Sequence, residues 1–529
     1  MTTHDPATLA RLMGLMCEAI ALRGAGQLPQ ALDALDQALA LDPGFIPIHM
    51  QRASLLDEQG EHAAAVAAYE ACLDIAPDFD DARAARRLAL EALVAQCQAA
   101  LADGGDDPSG TRFTLAVALF KTGELPQALL HAEQALAAAP DNFPALALRA
   151  DILLHLNRHE EALAGYRELP PAGADQRALA LFNRADILRQ MGRTDEALAG
   201  YDESLALYPG FAQARVGRAH MLLMRGDHAE GWREHEARND IAELAARAIR
   251  SDRPAWQPGE DICGRHLLLW AEQGLGDALQ FARYIGPASR LAGQTTVCVP
   301  PGLLPLLAPA FPDCAFVVND KAPPAHDVRA SLLSLPLLLD LPDPAQGPTP
   351  RYLRVDAQRA DGWREQVDAL NPSTPRRPRI GIAWAGRQYA TIHYSRDIAL
   401  AQLAPLFDLE VDFISLQPQV PAGDVAAREA LGERLHDVAL ADWADTAALM
   451  DSLDLVISVD TAVAHLAGAL GRPAFLMLRL EGEWRWGLGA DSTPWYPGTR
   501  LFRQQARGEW GGVVERVVAA CRGHFATSG

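Results

Sequence analysis

Three short stretches in the second half of the chain combine residue types and spacings suited to holding a phosphorylated ligand. The first runs Leu267-Leu268-Leu269-Trp270-Ala271-Glu272-Gln273-Gly274-Leu275-Gly276-Asp277, a strand pattern, a glycine-bearing turn and an acid opening a helix. Gly274 and Gly276 permit close backbone approach to a ligand, and Asp277 falls near the mouth of any cleft there. A helix-capping role for Asp277 stands equally open, because carboxylates are favoured at helix starts. The pair of glycines lacks the third glycine and the downstream acid of a dinucleotide fingerprint.

The second stretch, Leu455 to Pro473, carries a strand straight into a helix. The first free N–H groups of that helix, at Thr461, Ala462 and Val463, can cradle a phosphate. Asp460 precedes them, and His465 shares a helix face with Thr461 at i+4. The third stretch is Gly381-Ile382-Ala383-Trp384-Ala385-Gly386 followed by His393-Tyr394-Ser395-Arg396-Asp397. Here a strand ends in a small-residue turn, and Arg396 is placed either to meet a diphosphate as a bidentate cation or to pair with Asp397. The rings of Trp484, Trp486, Trp495 and Tyr496 could pave a sugar or nucleotide subsite, or fill the core between two lobes.

These loops need strands and helices to aim them. Short β-type runs occur at His266–Trp270, Thr295–Val299, Ala315–Val318, Arg379–Trp384, Asp412–Leu416, Leu455–Val459 and Ala474–Leu478, mostly separated by helical stretches. That alternation predicts parallel, doubly wound sheets. Prolines at 342, 344, 348, 350, 372, 375 and 378 mark a crossing between two such lobes, and ligands of open α/β sheets bind at the carboxyl ends of the strands.

The first half is periodic. A glycine or asparagine followed five residues later by a small residue recurs at Gly26/Ala31, Gly60/Ala65, Gly123/Ala128, Asn157/Ala162, Gly192/Ala197 and Gly226/Gly231, with offsets of 34, 63, 34, 35 and 34. Prolines at 43, 77, 140 and 209 keep the same beat. Each unit reads as a helical hairpin: Gly ends one helix, Pro29, Pro126 or an acid starts the next, a small residue lets the two cross closely, and proline stops the second. The 63-residue interval predicts a shortened, degenerate unit near 79–108, for about seven units in all. The resulting domain plan is a repeat array over 1–240, a linker over 241–264, a first lobe over 265–350, a connection over 351–378 and a second lobe over 379–529.

Composition bounds the rest. The 529 residues include 49% hydrophobic and 22% charged residues, enough for several globular cores. A net charge of −21 disfavours a nucleic-acid partner, whose phosphates need a basic face. Seven scattered cysteines without a C-x-x-C pair read as reduced thiols in a cytoplasmic protein. Neither Cys263/His266 nor Cys521/His524 has further ligands nearby to complete a metal site, and Asp78, Asp80 and Asp81 fall within the repeats. The start lacks the plan of a signal peptide, and the apolar stretch near Leu332–Leu339 is too short to span a bilayer.

The repeat markers match the tetratricopeptide pattern over roughly residues 8 to 240. Such arrays stack into a superhelix whose groove holds a protein segment, or serve as a spacer or dimerisation arm. Residues 265 to 516 resemble the module of bacterial tetratricopeptide glycosyltransferases, itself similar to the heptosyltransferase family. The likeness rests on Glu-Gln-Gly-Leu-Gly-Asp at 272–277, Trp-Ala-Gly at 384–386, Ser-Val-Asp-Thr-Ala-Val-Ala-His at 458–465 and Trp-Tyr-Pro at 495–497. The resemblance implies a GT-B fold of two Rossmann-like lobes, an inverting and metal-independent transfer, and no cofactor beyond a nucleotide-sugar donor. It assigns the base to Asp277, the grip on the nucleotide diphosphate to Asp460, Thr461 and His465, and a cation near the phosphates to Arg396. The first lobe is shorter than in heptosyltransferases, which leaves acceptor-side residues unassigned. The joining of repeats to such a module is similar in architecture to protein O-GlcNAc transferase, and implies a protein acceptor in the repeat groove, with flagellin first by family analogy. A scaffold that binds a nucleotide without chemistry, and a transferase acting on lipopolysaccharide or capsule, are the other readings.

Overall fold

The computed structural model describes residues 6–76, 79–167, 173–245, 248–249, 251–319, 323–348, 351–372, 376–386, 396–481 and 483–526. Pro77, Asp78, Pro350, Pro375, His393, Tyr394 and Ser395 lie outside the described residues. The chain divides into two compact units, Met1–Asn183 and Arg184–Gly529.

The first unit is helical. Helices α1 (Pro6–Gly24) and α2 (Leu28–Leu41) form a hairpin, as do α3 (Ile46–Glu58) with α4 (His62–Ile75), α6 (Pro108–Thr122) with α7 (Leu125–Ala138), and α8 (Phe143–His155) with α9 (His159–Arg167). Between the second and third hairpins stands α5 (Asp80–Ala102), one helix of 23 residues. The degenerate unit expected at 79–108 is therefore a single long helix, since nothing between Asp80 and Ala102 supplies a glycine or proline to break it. Each turn marker does what its residue type predicts. Gly26, Gly60, Gly123, Gly192, Gly226 and even Asn157 take positive φ, the left-handed conformation that ends a helix. Five residues on, Ala31, Ala65, Ala128, Ala162 and Ala197 are completely buried where the paired helices cross.

The repeat pattern runs on past the boundary between the units. Helix α10 (Ala174–Gln190) spans it, and α11 (Thr194–Leu207), α12 (Ala212–Arg225) and α13 (His228–His235) belong to the second unit. Close packing of α12 depends on Gly217, where a Cβ would sit 2.5 Å from the completely buried Tyr201 ring.

The rest of the second unit is α/β. Strands β1 (His266–Trp270), β2 (Gln294–Val299), β3 (Ala315–Val318) and β4 (Val328–Ser331) pair in the order β3-β2-β1-β4. A six-stranded sheet follows from β5 (Arg379–Ala383), β6 (Asp412–Ser415), β7 (Leu435–His436), β8 (Leu455–Val459), β9 (Ala474–Leu478) and β10 (Thr499–Arg503), in the order β10-β9-β8-β5-β6-β7. Every pairing is parallel. Sheets buried on both faces need continuous apolar strands, and β5, β8 and β9 are buried at every position. In each sheet the chain steps outward on one side and then returns to the other, so the order reverses between β1 and β4 and between β5 and β8. Helices α14 (Leu275–Phe281), α15 (Ala357–Leu370), α16 (Ala462–Leu470) and α17 (Gly511–Ala526) complete the elements needed below. The connection expected at 351–378 carries α15, which Arg359 ties to Asp442 at 3.0 Å and to Asp445 at 2.8 Å.

Replacing Gly217 by Ala should cost about 1–3 kcal/mol, the usual penalty of overpacking a filled core. Chemical denaturation of the full chain measures it, and an unchanged midpoint would contradict the packing described for α12.

Candidate functional site

Strand β1 ends at Trp270, and the turn to α14 begins with Glu272, whose carboxylate is buried against Arg238. Arg238 Nε and Nη2 donate to Glu272 at 2.9 and 3.1 Å, while Nη1 reaches Glu236 at 2.6 Å and Nη2 also reaches Ser334 at 2.7 Å. Burial opposes the charge on Glu272, but Arg238 outweighs it and holds the carboxyl below its ordinary pKa. A salt bridge fixed at this point anchors the start of the turn.

Gly274 is the residue before α14, with an extended backbone, and its N–H donates to Asp277 Oδ2 at 3.0 Å. The capping role left open for Asp277 is thus realised. Its other oxygen, Oδ1, pairs with the Arg485 guanidinium. Arg485 also pairs with Glu483, donates from Nε to Gln280 at 2.8 Å, and lies 4.2 Å from the centroid of the Trp484 ring. Loss of water works against its charge, and Asp277 and Glu483 more than restore it. The same desolvation, reinforced by Asp460 and opposed by Arg485, pushes the Glu483 carboxyl up. Sequence reasoning singled out 483–486 for its tryptophans and missed the guanidinium between them. The visible signal was a Glu-x-Arg inside an aromatic stretch.

From the other sheet, β8 delivers Asp460 and Thr461 to the start of α16. Thr461 is the N-cap residue with extended backbone, and its hydroxyl faces Ser458 Oγ at 3.1 Å. His465, one turn in, is buried, stacks on Trp486 with ring centroids 5.2 Å apart, and meets the Tyr496 hydroxyl through Nδ1 at 3.0 Å. Its Nε2 lies 4.0 Å from Asp460 Oδ1. Burial first, then the charges of Arg485 and Arg396, push its pKa down to about 3 against the pull of Asp277, so the ring is neutral at neutral pH.

The two stretches meet. A Cβ on Gly276 would stand 2.8 Å from His465 Cδ2 and 3.7 Å from Ala462 Cα. The first turn of α14 therefore lies directly on the first turn of α16, and Gly276, Asp277, Asp460, Ala462 and His465 share one locality. The third stretch divides. Gly386 touches Arg396, since a Cβ there would lie 2.6 Å from its Nε, and the Gly386 N–H donates to Asp397 at 2.8 Å. The Trp384 side chain is completely buried in the core of the second lobe, with Nε1 donating to Asp424 at 2.9 Å. An indole so placed packs behind the turn, in the core of the sheet. Among the described residues, no group of three or more His, Cys, Asp or Glu is placed to hold a metal ion.

Helices α12 and α13 also border this region. Trp232 packs edge-on to Trp484 at 5.4 Å, Phe281 at 5.7 Å and Trp495 at 6.4 Å, and donates to the Pro342 carbonyl at 2.9 Å. His220 stacks on Trp484 at 6.2 Å. Desolvation, then Arg189 and Arg485, push the His220 imidazole down to about 3, and burial, then Arg238, hold that of His235 well below its ordinary value.

With this geometry in place, comparison with known proteins gives the class of the first half. Tetratricopeptide-repeat models match residues 18–80, 113–177 and 178–211, so the N-terminal part carries tetratricopeptide repeats, and an α/β region with parallel sheets follows. The particular relative found among curated proteins is Protein FlbA of Caulobacter vibrioides, 29% identical over 351 residues, which cover 60% of this chain and 56% of that protein. The chain thus spans little more than half the length of that relative. Among solved structures, a glycosyl transferase family 9 protein from Veillonella parvula aligns over 51% of this chain and all of its own, at 10% identity and a TM-score of 0.38. The iron-containing dodecameric glycosyltransferase TibC from enterotoxigenic E. coli aligns over 48% of this chain and 67% of its own, at 16% identity and a TM-score of 0.33. No described helix is long and apolar enough to cross a membrane.

The three depressed histidines give a signed expectation. A folded-state pKa below the unfolded value of about 6.5 means the native chain binds fewer protons in acid, so stability is full above that pH and falls as pH drops toward 3. The thermal midpoint of the second unit's transition should decline from pH 7 to pH 5, and His220→Gln should flatten that decline. Parallel profiles for the two proteins would contradict the assignment of His220 as a neutral, desolvated ring.

Proposed function

We propose that the α/β region is a glycosyltransferase of the GT-B kind, which moves a sugar from a nucleotide-sugar donor to a protein acceptor recruited by the repeats, flagellin being the leading candidate. The observation that carries this reading is the contact of α14 and α16. Two helix starts from separate parallel sheets, each beside a reversal of strand order, put Asp277, Asp460, Ala462 and His465 in one place. Carboxyl-end crevices at such reversals are where open α/β sheets bind their ligands.

In this reading the free N–H groups at the start of α16 and the Arg396 cation receive the charge that develops on the departing diphosphate. Asp277 takes the proton of the acceptor hydroxyl as the sugar carbon becomes oxocarbenium-like, and attack from the face opposite the leaving group inverts the anomeric centre. Arg485 must release Asp277 first, and a donor diphosphate beside it offers the guanidinium a more highly charged partner than a single carboxylate. Neutral His465 is suited to bonding a donor group of the ligand and unsuited to neutralising phosphate. The acceptor class, the need for no metal and the cytoplasmic setting belong to the same proposal.

One observation favours a second reading, a scaffold that binds nucleotide without turnover: both oxygens of Asp277 already have partners. Asp277→Asn separates the two. As a base, Asp277 contributes of the order of 100-fold or more, so transfer from a radiolabelled nucleotide sugar to acceptor protein in a cell extract should fall at least that far. Nucleotide affinity by calorimetry should change only a few-fold. Undiminished transfer removes Asp277 from the base role, and nucleotide binding with no transfer in the unaltered chain favours the scaffold.

A further inference from the structure

Four buried rings pack together beside the site: Trp232, Phe281, Trp484 and Trp495. All six pairs among them are in contact, with ring centroids 5.4 to 6.4 Å apart. Phe281 closes α14 in the first lobe, Trp484 and Trp495 belong to the second, and Trp232 comes from α13, in the last hairpin of the repeat series. Trp232 meets the other three rings edge-on, and its Nε1 donates to the Pro342 carbonyl at 2.9 Å. Gly231 aims it: a Cβ there would lie 2.7 Å from Leu223 Cγ, so the missing side chain lets α13 lie close on α12.

Each ring that the lobes contribute is a near neighbour in sequence of a site residue. Phe281 follows Asp277 by four residues on α14 and so shares its side of the helix. Trp484 precedes Arg485, whose guanidinium lies 4.2 Å from the Trp484 ring centroid and pairs with Asp277. Trp495 precedes Tyr496, whose hydroxyl meets His465 Nδ1 at 3.0 Å. We propose that Trp232 is a positioning residue for the donor site, through which the last repeat hairpin holds the turns of both lobes in place, so that docking of the hairpin and occupancy of the site favour each other.

The other contacts of this hairpin and the segment after it divide between the lobes. Arg238 reaches Glu272 and Ser334 in the first lobe, and His220 and His235 pack on Trp484 in the second. Trp232 touches both lobes. A ring held by one lobe fills its core; a ring shared by two restricts their relative position, because edge-on aromatic contacts are directional and a displaced lobe loses them. Linkage makes the effect reciprocal: whatever the docked hairpin contributes to ligand affinity, a bound ligand returns to the hairpin. That the ligand is a nucleotide sugar rests on the donor-site reading above, whereas the packing of Trp232 on both lobes does not.

Hydrogen–deuterium exchange of the full chain carrying Trp232→Leu tests the positioning without any substrate. Exchange should quicken about tenfold or more in both 275–281 and 483–496, the consequence of losing a buried ring's packing, while 379–383 and 511–526 exchange as before. Unchanged exchange in either turn overturns the proposal, and so does an even acceleration over the whole second unit, which marks a ring that is merely structural. Trp232→Phe keeps a buried ring and loses the bond to Pro342; it should give the same local pattern more weakly, and it decides the matter if the leucine variant fails to fold. In the unaltered chain, a nucleotide sugar that binds should slow exchange in 228–235 along with the site, and protection of the site with 228–235 unmoved overturns the coupling. Where transfer is measurable, kcat of folded Trp232→Phe should fall by more than the donor KM changes, because misplacing a reacting group costs rate; an unchanged kcat overturns the positioning role. If no nucleotide sugar binds, the donor-site reading falls, and the exchange of the two variants alone decides whether Trp232 holds both turns.

Discussion

The second unit depends on one approach distance, that between the first turns of α14 and α16. They come from different sheets, and they meet because position 276 has no side chain: a single methyl group there would collide with the His465 ring. Once in contact, the helices bring carboxyl groups from both lobes around Arg485, which pairs with Asp277 from the first lobe and Glu483 from the second. Desolvated ion pairs of this kind contribute little net stability, because removing the ions from water costs about as much as their attraction returns. Their value lies in specifying one arrangement, since breaking any partner leaves a charge stranded. The pairing of Arg485 with Asp277 therefore joins the two lobes at the carboxyl ends of their sheets.

Around that contact the surroundings are set to suppress stray protonation. His465, His220 and His235 are all held neutral by loss of water and nearby guanidinium groups. Each ring also packs on indole surface: His465 on Trp486, His220 on Trp484, and His235 against Trp232 and Trp484. The end of the helical hairpin series, through Trp232 and Arg238, supports the same turn that carries Gly274 and Asp277. Repeats and α/β region are in this sense one packed structure from Arg184 onward.

Much of this was legible in the sequence because its causes are local. Positive φ favours glycine and asparagine, so the hairpin turns announced themselves at six positions. Strands buried on both faces read as apolar runs, which exposed β1, β5, β8 and β9. The strands that escaped notice, β4, β7 and β10, are sheet edges; β4 and β10 interleave arginine with apolar residues, and β7 has two residues. The shortened, degenerate unit expected near 79–108 is the one long helix α5, whose length was not legible because a missing breaker is harder to see than a present one. At the site, the residues that head α14 and α16 were readable from their position after strands. Arg485 and Arg238 were not, since each acts across more than thirty residues of sequence and only folding reveals its partner. The burial of the Trp384 indole behind its turn was likewise invisible, because the core that receives it is assembled from distant strands.

The central claim is that the β1–α14 and β8–α16 turns form one ligand site. Hydrogen–deuterium exchange of the full chain, with and without UDP, GDP, ADP, CMP and their common sugar conjugates, tests it most directly. The account requires that a bound nucleotide sugar slow exchange in both 272–281 and 460–470. Protection confined to one of these segments, or falling elsewhere while both exchange unchanged, would contradict it.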